Sequence, residues 1–93
     1  MTRVAAVQLT SGPRVPANLD EAGRQIAAAA AAGAQLVVLP ENFALMPLTD
    51  AERMAAAEQD GLGPIQDFLS AQARRHRVWL VGGTIPIAAP AAN

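Results

Sequence analysis

With 93 residues and a net charge of −1, the sequence corresponds to at most one small domain, near the lower limit of what buries an adequate core alone. Its seven basic residues are all arginines interspersed with eight acidic residues, so no basic patch indicates nucleic acid and no polybasic arm indicates a membrane surface. Cysteine is absent, which excludes disulfides, thiolate metal sites and a thiol nucleophile within this chain.

The first half of the sequence predicts two strands joined by a helix. Residues 3–9 are mostly apolar and favour a strand, which a turn rich in glycine and proline ends. We expect Asn18 to cap the following helix, with Glu21 in the capping-box position and Gly33 as its stop. The apolar segment at residues 35–39 follows at once, so the two strands should be parallel members of a β-α-β unit.

The second half predicts two more helices and a third strand. A capping box at Thr49 opens a short helix to about residue 59, and Pro64 suits the first position of an amphipathic helix. Residues 78–81 favour a buried strand in which Trp79 serves packing, and residues 84–87 are a candidate further strand. The resulting order, β-α-β-α-α-β, predicts an α/β layered architecture. The predicted helices can cover roughly one face of the sheet. We therefore expect apolar surface of the sheet and an unpaired strand edge to stay exposed.

Glu41 is predicted to lie at the carboxyl end of a strand, a position at which α/β sheets commonly carry functional residues. It follows the apolar residues 36–39, and the intervening Pro40 ends the strand because it has no N–H for the ladder. Ligands bind at the carboxyl ends of strands in open α/β sheets, so the Glu41 carboxylate is a candidate for acid–base catalysis. Position alone leaves a second interpretation open, in which Glu41 caps the next loop or pairs with an arginine.

The sequence excludes several familiar sites. There is no lysine for a phosphate-binding P-loop, no G-x-G-x-x-G run after the first strand, and no G-x-S-x-G elbow. His76 is the only histidine, which leaves a histidine-based metal site without its usual second ligand. We interpret His76, with Arg74 and Arg75, as a solvated helix end. Gly82-Gly83 favours a tight turn, with close backbone approach to a ligand as the second interpretation.

Three segments in register resemble the nitrilase superfamily of carbon–nitrogen hydrolases. Residues 33–43 (Gly-Ala-Gln-Leu-Val-Val-Leu-Pro-Glu-Asn-Phe) resemble that family's first catalytic motif. Residues 4–9 look like its first strand, and residues 81–86 (Val-Gly-Gly-Thr-Ile-Pro) are similar to the strand and turn after its third helix. The form of the motif at residues 40–46 (Pro-Glu-Asn-Phe-Ala-Leu-Met) is most similar to the branch of amidases that includes deaminated glutathione amidase and ω-amidase.

The resemblance implies a mechanism and a site. In that family a glutamate at the position of Glu41 acts as general base on a cysteine nucleophile, a lysine stabilises the tetrahedral intermediate, and water hydrolyses the thioester. Phe43 and Met46 are expected to line the pocket for a small ω-amide or carbamoyl substrate. No cofactor and no metal ion are expected.

The chain also departs from the family pattern, because it has neither the lysine nor the cysteine. By resemblance, residues 1–93 form the N-terminal third of an α-β-β-α sandwich, an incomplete carbon–nitrogen hydrolase domain that we expect to be inactive alone. The first residues lack the apolar segment of a signal peptide, so the complete enzyme should be cytoplasmic, and it should form a homo-oligomer as family members commonly do. The alternative hypothesis is a non-enzymatic α/β module that associates with a partner chain. Neither hypothesis involves nucleic acid or a membrane.

Overall fold

Three apolar segments of the sequence form a parallel sheet in the structure, a computed structural model that describes residues 2–88. The strands are β1 (Val4–Ala6), β2 (Leu36–Val38) and β3 (Trp79–Val81), in the order β1-β2-β3. The helices are α1 (Val15–Ala31), α2 (Asp50–Ala56) and α3 (Pro64–His76). The predicted element order and parallel pairing are confirmed, with each strand shorter than predicted. No helix within residues 2–88 has the length and apolar character needed to cross a membrane.

The candidate further strand at residues 84–87 is not found in the described part of the chain. Ile87 makes only an isolated parallel bridge with Glu58. In this bridge the Glu58 N–H donates to the Pro86 carbonyl at 3.0 Å, and the Ala88 N–H donates to the Glu58 carbonyl at 2.7 Å. Pro86 has no N–H to donate, which limits the extension of a ladder here.

One face of the sheet carries the hydrophobic core. Ala5, Val37 and Leu80 occupy one register row across the three strands, and Val37 is fully buried. Helix α1 contributes Ala22 and Ile26 to the same core, both fully buried and four residues apart on one helical face. Helix α1 therefore presents an apolar face to the sheet, and α3 packs against both α1 and β3.

The opposite face of the sheet is apolar and is not covered by any described segment. Its two register rows are Val4, Leu36 and Trp79 in one and Ala6, Val38 and Val81 in the other. Because successive side chains of a strand point to opposite faces, these rows lie away from the core. Trp79 is 81% exposed, so the prediction that it serves packing is wrong within residues 2–88. The expected exposure of apolar surface is confirmed.

Helix α1 begins three residues before the predicted cap, at Val15. Arg14 precedes it in an extended conformation and makes no side-chain capping bond. Asn18 therefore lies inside the first turns of the helix, and its side chain is buried. The predicted cap is wrong because the Asn18 amide bonds to backbone groups of two loops instead of to its own helix.

Glu21 also differs from its predicted capping-box role. Its carboxylate accepts hydrogen bonds from the Gln25 side chain at 3.1 Å and from Arg24 at 2.6 Å. The Gln25 bond, the Arg24 bond and the Arg24 charge hold the pKa of the Glu21 carboxyl below its ordinary value. At the other end, Gly33 stops the helix as predicted, at a φ of +95° that favours glycine.

Local sequence signals determine where α2 and α3 begin. Thr49 caps α2 as predicted, because its Oγ1 accepts a hydrogen bond from the Glu52 N–H at 3.1 Å. Helix α2 ends at Ala56, three residues before its predicted end. Pro64 starts α3 as predicted, and Arg77 follows the helix in the left-handed conformation at a φ of +53°.

A buried carboxylate that the sequence analysis missed stabilises the start of α3. Glu58 is 6% exposed and accepts hydrogen bonds from the N–H groups of Ile65 at 2.6 Å and Gln66 at 3.1 Å. An anion is favourable there because the first N–H groups of a helix have no partner within it. Gly63 leaves room for this carboxylate, since a Cβ at that position would lie 2.3 Å from Glu58 Cδ.

Replacing Glu58 tests this cap. Glu58→Ala leaves two N–H groups of the α3 start without an acceptor, so the free energy of unfolding should fall by about 2 kcal/mol in urea denaturation. The matched control is Asp60→Ala, at an exposed carboxylate in the same turn, which should change that free energy by less than about 0.5 kcal/mol. Equal effects of the two substitutions would contradict the assignment.

Candidate functional site

Glu41 lies three residues beyond the end of β2, at the carboxyl edge of the parallel sheet. Its side chain is exposed. Within residues 2–88 its carboxylate has neither a hydrogen bond nor an ion pair. The described residues therefore do not support the interpretation of Glu41 as a loop cap or as the partner of an arginine.

The backbone on either side of Glu41 has little freedom. Pro40 precedes it with a φ fixed by its ring. Asn42 follows in the left-handed conformation at a φ of +57°, which asparagine tolerates better than most residues. The N–H of Leu45 donates to the Asn42 carbonyl at 3.2 Å and closes the turn. We refer to residues 40–46 as the Glu41 loop.

The buried Asn18 side chain joins the Glu41 loop to the start of the chain. Its Nδ2 donates to the Ala44 carbonyl at 2.8 Å and to the Gly12 carbonyl at 2.8 Å. Its Oδ1 accepts from the Gly12 N–H at 3.0 Å. One amide thus links α1, the loop after β1 and the loop after β2. Asn18 was expected to act locally, and no sequence signal distinguished this long-range role.

Two further hydrogen bonds support the same junction. Ser11 Oγ donates to the Phe43 carbonyl at 2.5 Å, and the Met46 N–H donates to the Gly12 carbonyl at 2.9 Å. Phe43 is fully buried, so its carbonyl would lack a water partner without Ser11. These contacts fix the Glu41 loop against the loop that follows β1.

The segment after β3 holds the Glu41 loop from its other side. Thr84 Oγ1 accepts a hydrogen bond from the Asn42 N–H at 3.2 Å. Gly83 has a φ of +63°, and a Cβ there would lie 2.2 Å from the Pro40 carbonyl oxygen. In the described residues the close approach of Gly83 is therefore to the chain's own backbone. A side chain at this position would displace the residue directly before Glu41.

The two predicted pocket residues have different environments. Phe43 has no exposed surface and its ring centroid lies 6.4 Å from that of Phe68, within the core. Met46 is 46% exposed on the same loop as Glu41. Substrate contact by Phe43 and Met46 stays a prediction. What the structure assigns to Phe43 is the anchoring of the Glu41 loop in the core.

The remaining titratable candidates lie outside this loop. Arg74, Arg75 and His76 form the last turn of α3, where positive charge is favourable beside the free carbonyl groups. His76 and Arg75 also border an open groove between α1 and α3 of about 410 Å³. Within residues 2–88, no three histidine, cysteine, aspartate or glutamate side chains converge as metal ligands would.

Nearly the whole chain matches one protein family. The family model described as carbon-nitrogen hydrolase matches residues 3–91. Deaminated glutathione amidase from Synechocystis sp. (strain PCC 6803 / GT-S) is 38% identical over 82 residues, which cover 88% of this chain and 29% of the relative. The protein of that name from Yersinia enterocolitica is 39% identical over 84 residues, which cover 90% of this chain and 29% of the relative. Nitrilase homolog 2 from Dictyostelium discoideum is 34% identical over 84 residues, with coverage of 90% and 25%.

This chain therefore spans less than a third of the length of these relatives, and it corresponds to their N-terminal part. Two of these relatives are named as amidases, and the third is named as a homolog of nitrilase.

Removing the Asn18 amide tests the junction beneath Glu41. Asn18→Ala leaves the Ala44 carbonyl without its side-chain partner, so unfolding free energy should fall by about 2 kcal/mol. Hydrogen exchange at the Met46 amide should accelerate more than at Val37 in the sheet. Asp20→Ala, at an exposed residue on the same helix, is the control and should change neither quantity appreciably. Unchanged exchange at Met46 in Asn18→Ala would refute the tethering role.

Proposed function

We propose that this chain, which belongs to the carbon–nitrogen hydrolase family, contributes the general base of an amide-hydrolysing site, and that Glu41 is that base. The observation that carries the proposal is the combination of a free side chain and a fixed backbone. Glu41 is exposed, while hydrogen bonds and buried side chains hold the loop around it from two directions. A base needs this arrangement because its position has to be set without occupying its oxygens.

The proposed reaction begins with proton transfer. The Glu41 carboxylate accepts the proton of a cysteine thiol, and the thiolate attacks the amide carbon. A lysine ammonium stabilises the oxyanion that forms, and the departing amine takes up the proton from Glu41. Water then hydrolyses the thioester. Neither the lysine nor the cysteine is in this chain, so both must come from further polypeptide.

The surroundings of Glu41 also have to change in the complete site. In this chain the Glu41 carboxylate is exposed to water. Exclusion of water disfavours the charged form and increases its affinity for a proton. We therefore propose that the polypeptide carrying the lysine and cysteine also covers Glu41, and that the 93-residue chain alone does not catalyse hydrolysis.

A small amide is the proposed substrate class. Two similar proteins are named as amidases, which supports an amide substrate, and we propose a small ω-amide or carbamoyl compound. Protein side chains and water suffice for the proposed steps, without a metal ion or cofactor. The homo-oligomeric state and the cytoplasmic location stay predictions for the complete protein.

The second candidate function is that of a non-enzymatic module that associates with a partner chain. The open apolar face that carries Val4, Trp79 and Val81 favours it, because such a face is stable when it is covered. The mass of the single polypeptide in its source cells, measured under denaturing conditions, separates the two hypotheses. A mass near 9.6 kDa supports the module, whereas a mass roughly three times larger supports the hydrolase.

Substitution of Glu41 tests the catalytic role in the protein isolated from its source cells, with any chain that copurifies. Glu41→Gln preserves the shape of the side chain but removes its basicity, so kcat for ammonia release from a small amide should fall by about a hundredfold or more. The thermal unfolding temperature of the 93-residue chain should stay unchanged, since the Glu41 side chain has no partner within residues 2–88. Asp60→Asn is the control for a lost surface carboxylate. Activity of Glu41→Gln within tenfold of the unmodified protein would refute the proposal.

A further inference from the structure

Helix α2 lies between two fixed points of the chain. We refer to residues 47–57, which contain this helix, as the α2 segment, and none of these residues is buried. Directly before the segment, the Met46 N–H donates to the Gly12 carbonyl at 2.9 Å. Directly after it, Glu58 is buried and its carboxylate accepts hydrogen bonds from the first N–H groups of α3. The α2 segment is therefore an exposed span with two anchored ends.

The hydrogen bonds of the α2 segment stay inside it within residues 2–88. The Arg53 N–H donates to the Thr49 carbonyl at 3.2 Å, and the Ala57 N–H donates to the Met54 carbonyl at 3.3 Å. The Arg53 side chain pairs with Asp50 of the same helix at 3.5 Å. A movement of α2 as one unit breaks none of these contacts. Few buried contacts and few bonds to the rest of a structure are the properties of segments that open locally.

The apolar face of α2 is exposed to solvent. Ala51, Met54 and Ala55 share one face at helical spacing and are all exposed, as is Leu48 just before the helix. Arg53, on another side of the helix, borders a cavity of about 120 Å³. Surface helices usually turn their apolar face inward, and a helix of seven residues is unstable in water without packing. The observed position of α2 therefore leaves its best packing surface unused.

The cavity beside α2 can accommodate an apolar side chain of that helix. It lies between α2, the Glu41 loop and the segment after β3, and its apolar lining consists of Leu45, Pro47, Ile85 and Pro86. A water molecule occupies about 30 Å³ of the liquid, so the cavity has room for roughly four waters, or for the four heavy atoms of a methionine side chain. Because Met54 directly follows Arg53, a rotation of α2 by about 100° around its axis brings Met54 to the side that Arg53 occupies.

We propose that α2 is a movable cover of the carboxyl edge of the sheet. It rotates between the open position that the structure shows and a closed position in which Met54 fills the cavity beside the Glu41 loop. The closed position expels water from a space bordered by Asn42, the residue directly after Glu41. Exclusion of water from the surroundings of a carboxylate increases its affinity for a proton. The effect on catalysis rests on the proposed function, whereas the movement of α2 does not.

Nitrogen-15 relaxation dispersion of the 93-residue chain tests the movement without catalysis. Rotation of α2 on the microsecond-to-millisecond timescale changes the surroundings of the helix and of the cavity lining together. Exchange broadening with one common rate is therefore expected at the amides of Met54, Asn42 and Thr84, and none is expected at Val37 in the sheet. Broadening confined to α2 would indicate fraying of a short helix and would overturn the cover. The absence of broadening at all of these amides would overturn it as well.

Three variants assign the exchange to Met54. Met54→Ala keeps a strong helix former but leaves the cavity unfilled in the closed position, so the broadening at Asn42 and Thr84 should fall about tenfold or more. Met54→Leu has a similar volume and should retain the broadening. Leu62→Ala is the matched control, because Leu62 is an exposed apolar residue outside the α2 segment. Unchanged broadening in Met54→Ala, or an equal loss in Leu62→Ala, would refute the role of Met54 in closure.

Kinetics of the complete enzyme separate the cover from the proposed function. In Met54→Ala, kcat for ammonia release from a small amide should fall about tenfold, because the closed position is less populated, while Met54→Leu and Leu62→Ala should leave kcat unchanged. An enzyme that hydrolyses no small amide refutes the proposed function, and the relaxation data then decide on the cover alone. Hydrolysis with the same kcat in Met54→Ala as in the unmodified enzyme refutes the contribution of the cover to catalysis.

Discussion

A loop that is buried must find partners for its own backbone, and this constraint determines how the carboxyl edge of the sheet is built. Phe43, Ala44 and Leu45 come directly after Asn42 in the Glu41 loop and are all buried. Their carbonyl groups cannot rely on water, so the Phe43 carbonyl is satisfied by Ser11 and the Ala44 carbonyl by Asn18. The apolar side chains draw the loop into the core, and the two donors make that burial possible.

The same constraint explains how a free carboxylate can have a defined position. Glu41 gains nothing from side-chain partners within residues 2–88, so its placement depends on the neighbouring backbone. That backbone is held by Asn18 from the side of β1 and by Thr84 and Gly83 from the side of β3. The central strand β2 is flanked by both neighbours in parallel register, so all three carboxyl ends contribute to one edge.

Signals that act over a few residues made much of the structure predictable from the sequence. Thr49, Pro64 and Gly33 begin or end their helices where short-range capping rules placed them. The location of Glu41 beyond a buried parallel strand also followed from a short apolar run and Pro40. The β-α-β order needed only the alternation of apolar runs with a helical pattern.

The predictions that were wrong concern side chains used over long distances. An asparagine before a helical pattern is compatible with a helix cap and equally with a tertiary contact. Only the folded chain shows that the Ala44 carbonyl lies within hydrogen-bonding distance of the Asn18 side chain. Glu58 was missed because its partners, Ile65 and Gln66, lie seven and eight residues away across a turn. The exposure of Trp79 depends on which segments cover its face of the sheet. The sequence of an apolar strand does not indicate whether another segment covers that face.

The uncovered apolar rows of the sheet have a consequence for how the polypeptide behaves during its synthesis. A polypeptide leaves the ribosome N-terminus first, so the strands of this sheet can meet while its outer rows are still bare. A bare surface that includes Trp79 and Val81 attracts other unfolded chains and the chaperones that bind exposed hydrophobic segments. The yield of native protein should therefore depend on how quickly that surface is covered, rather than on how quickly the three strands pair.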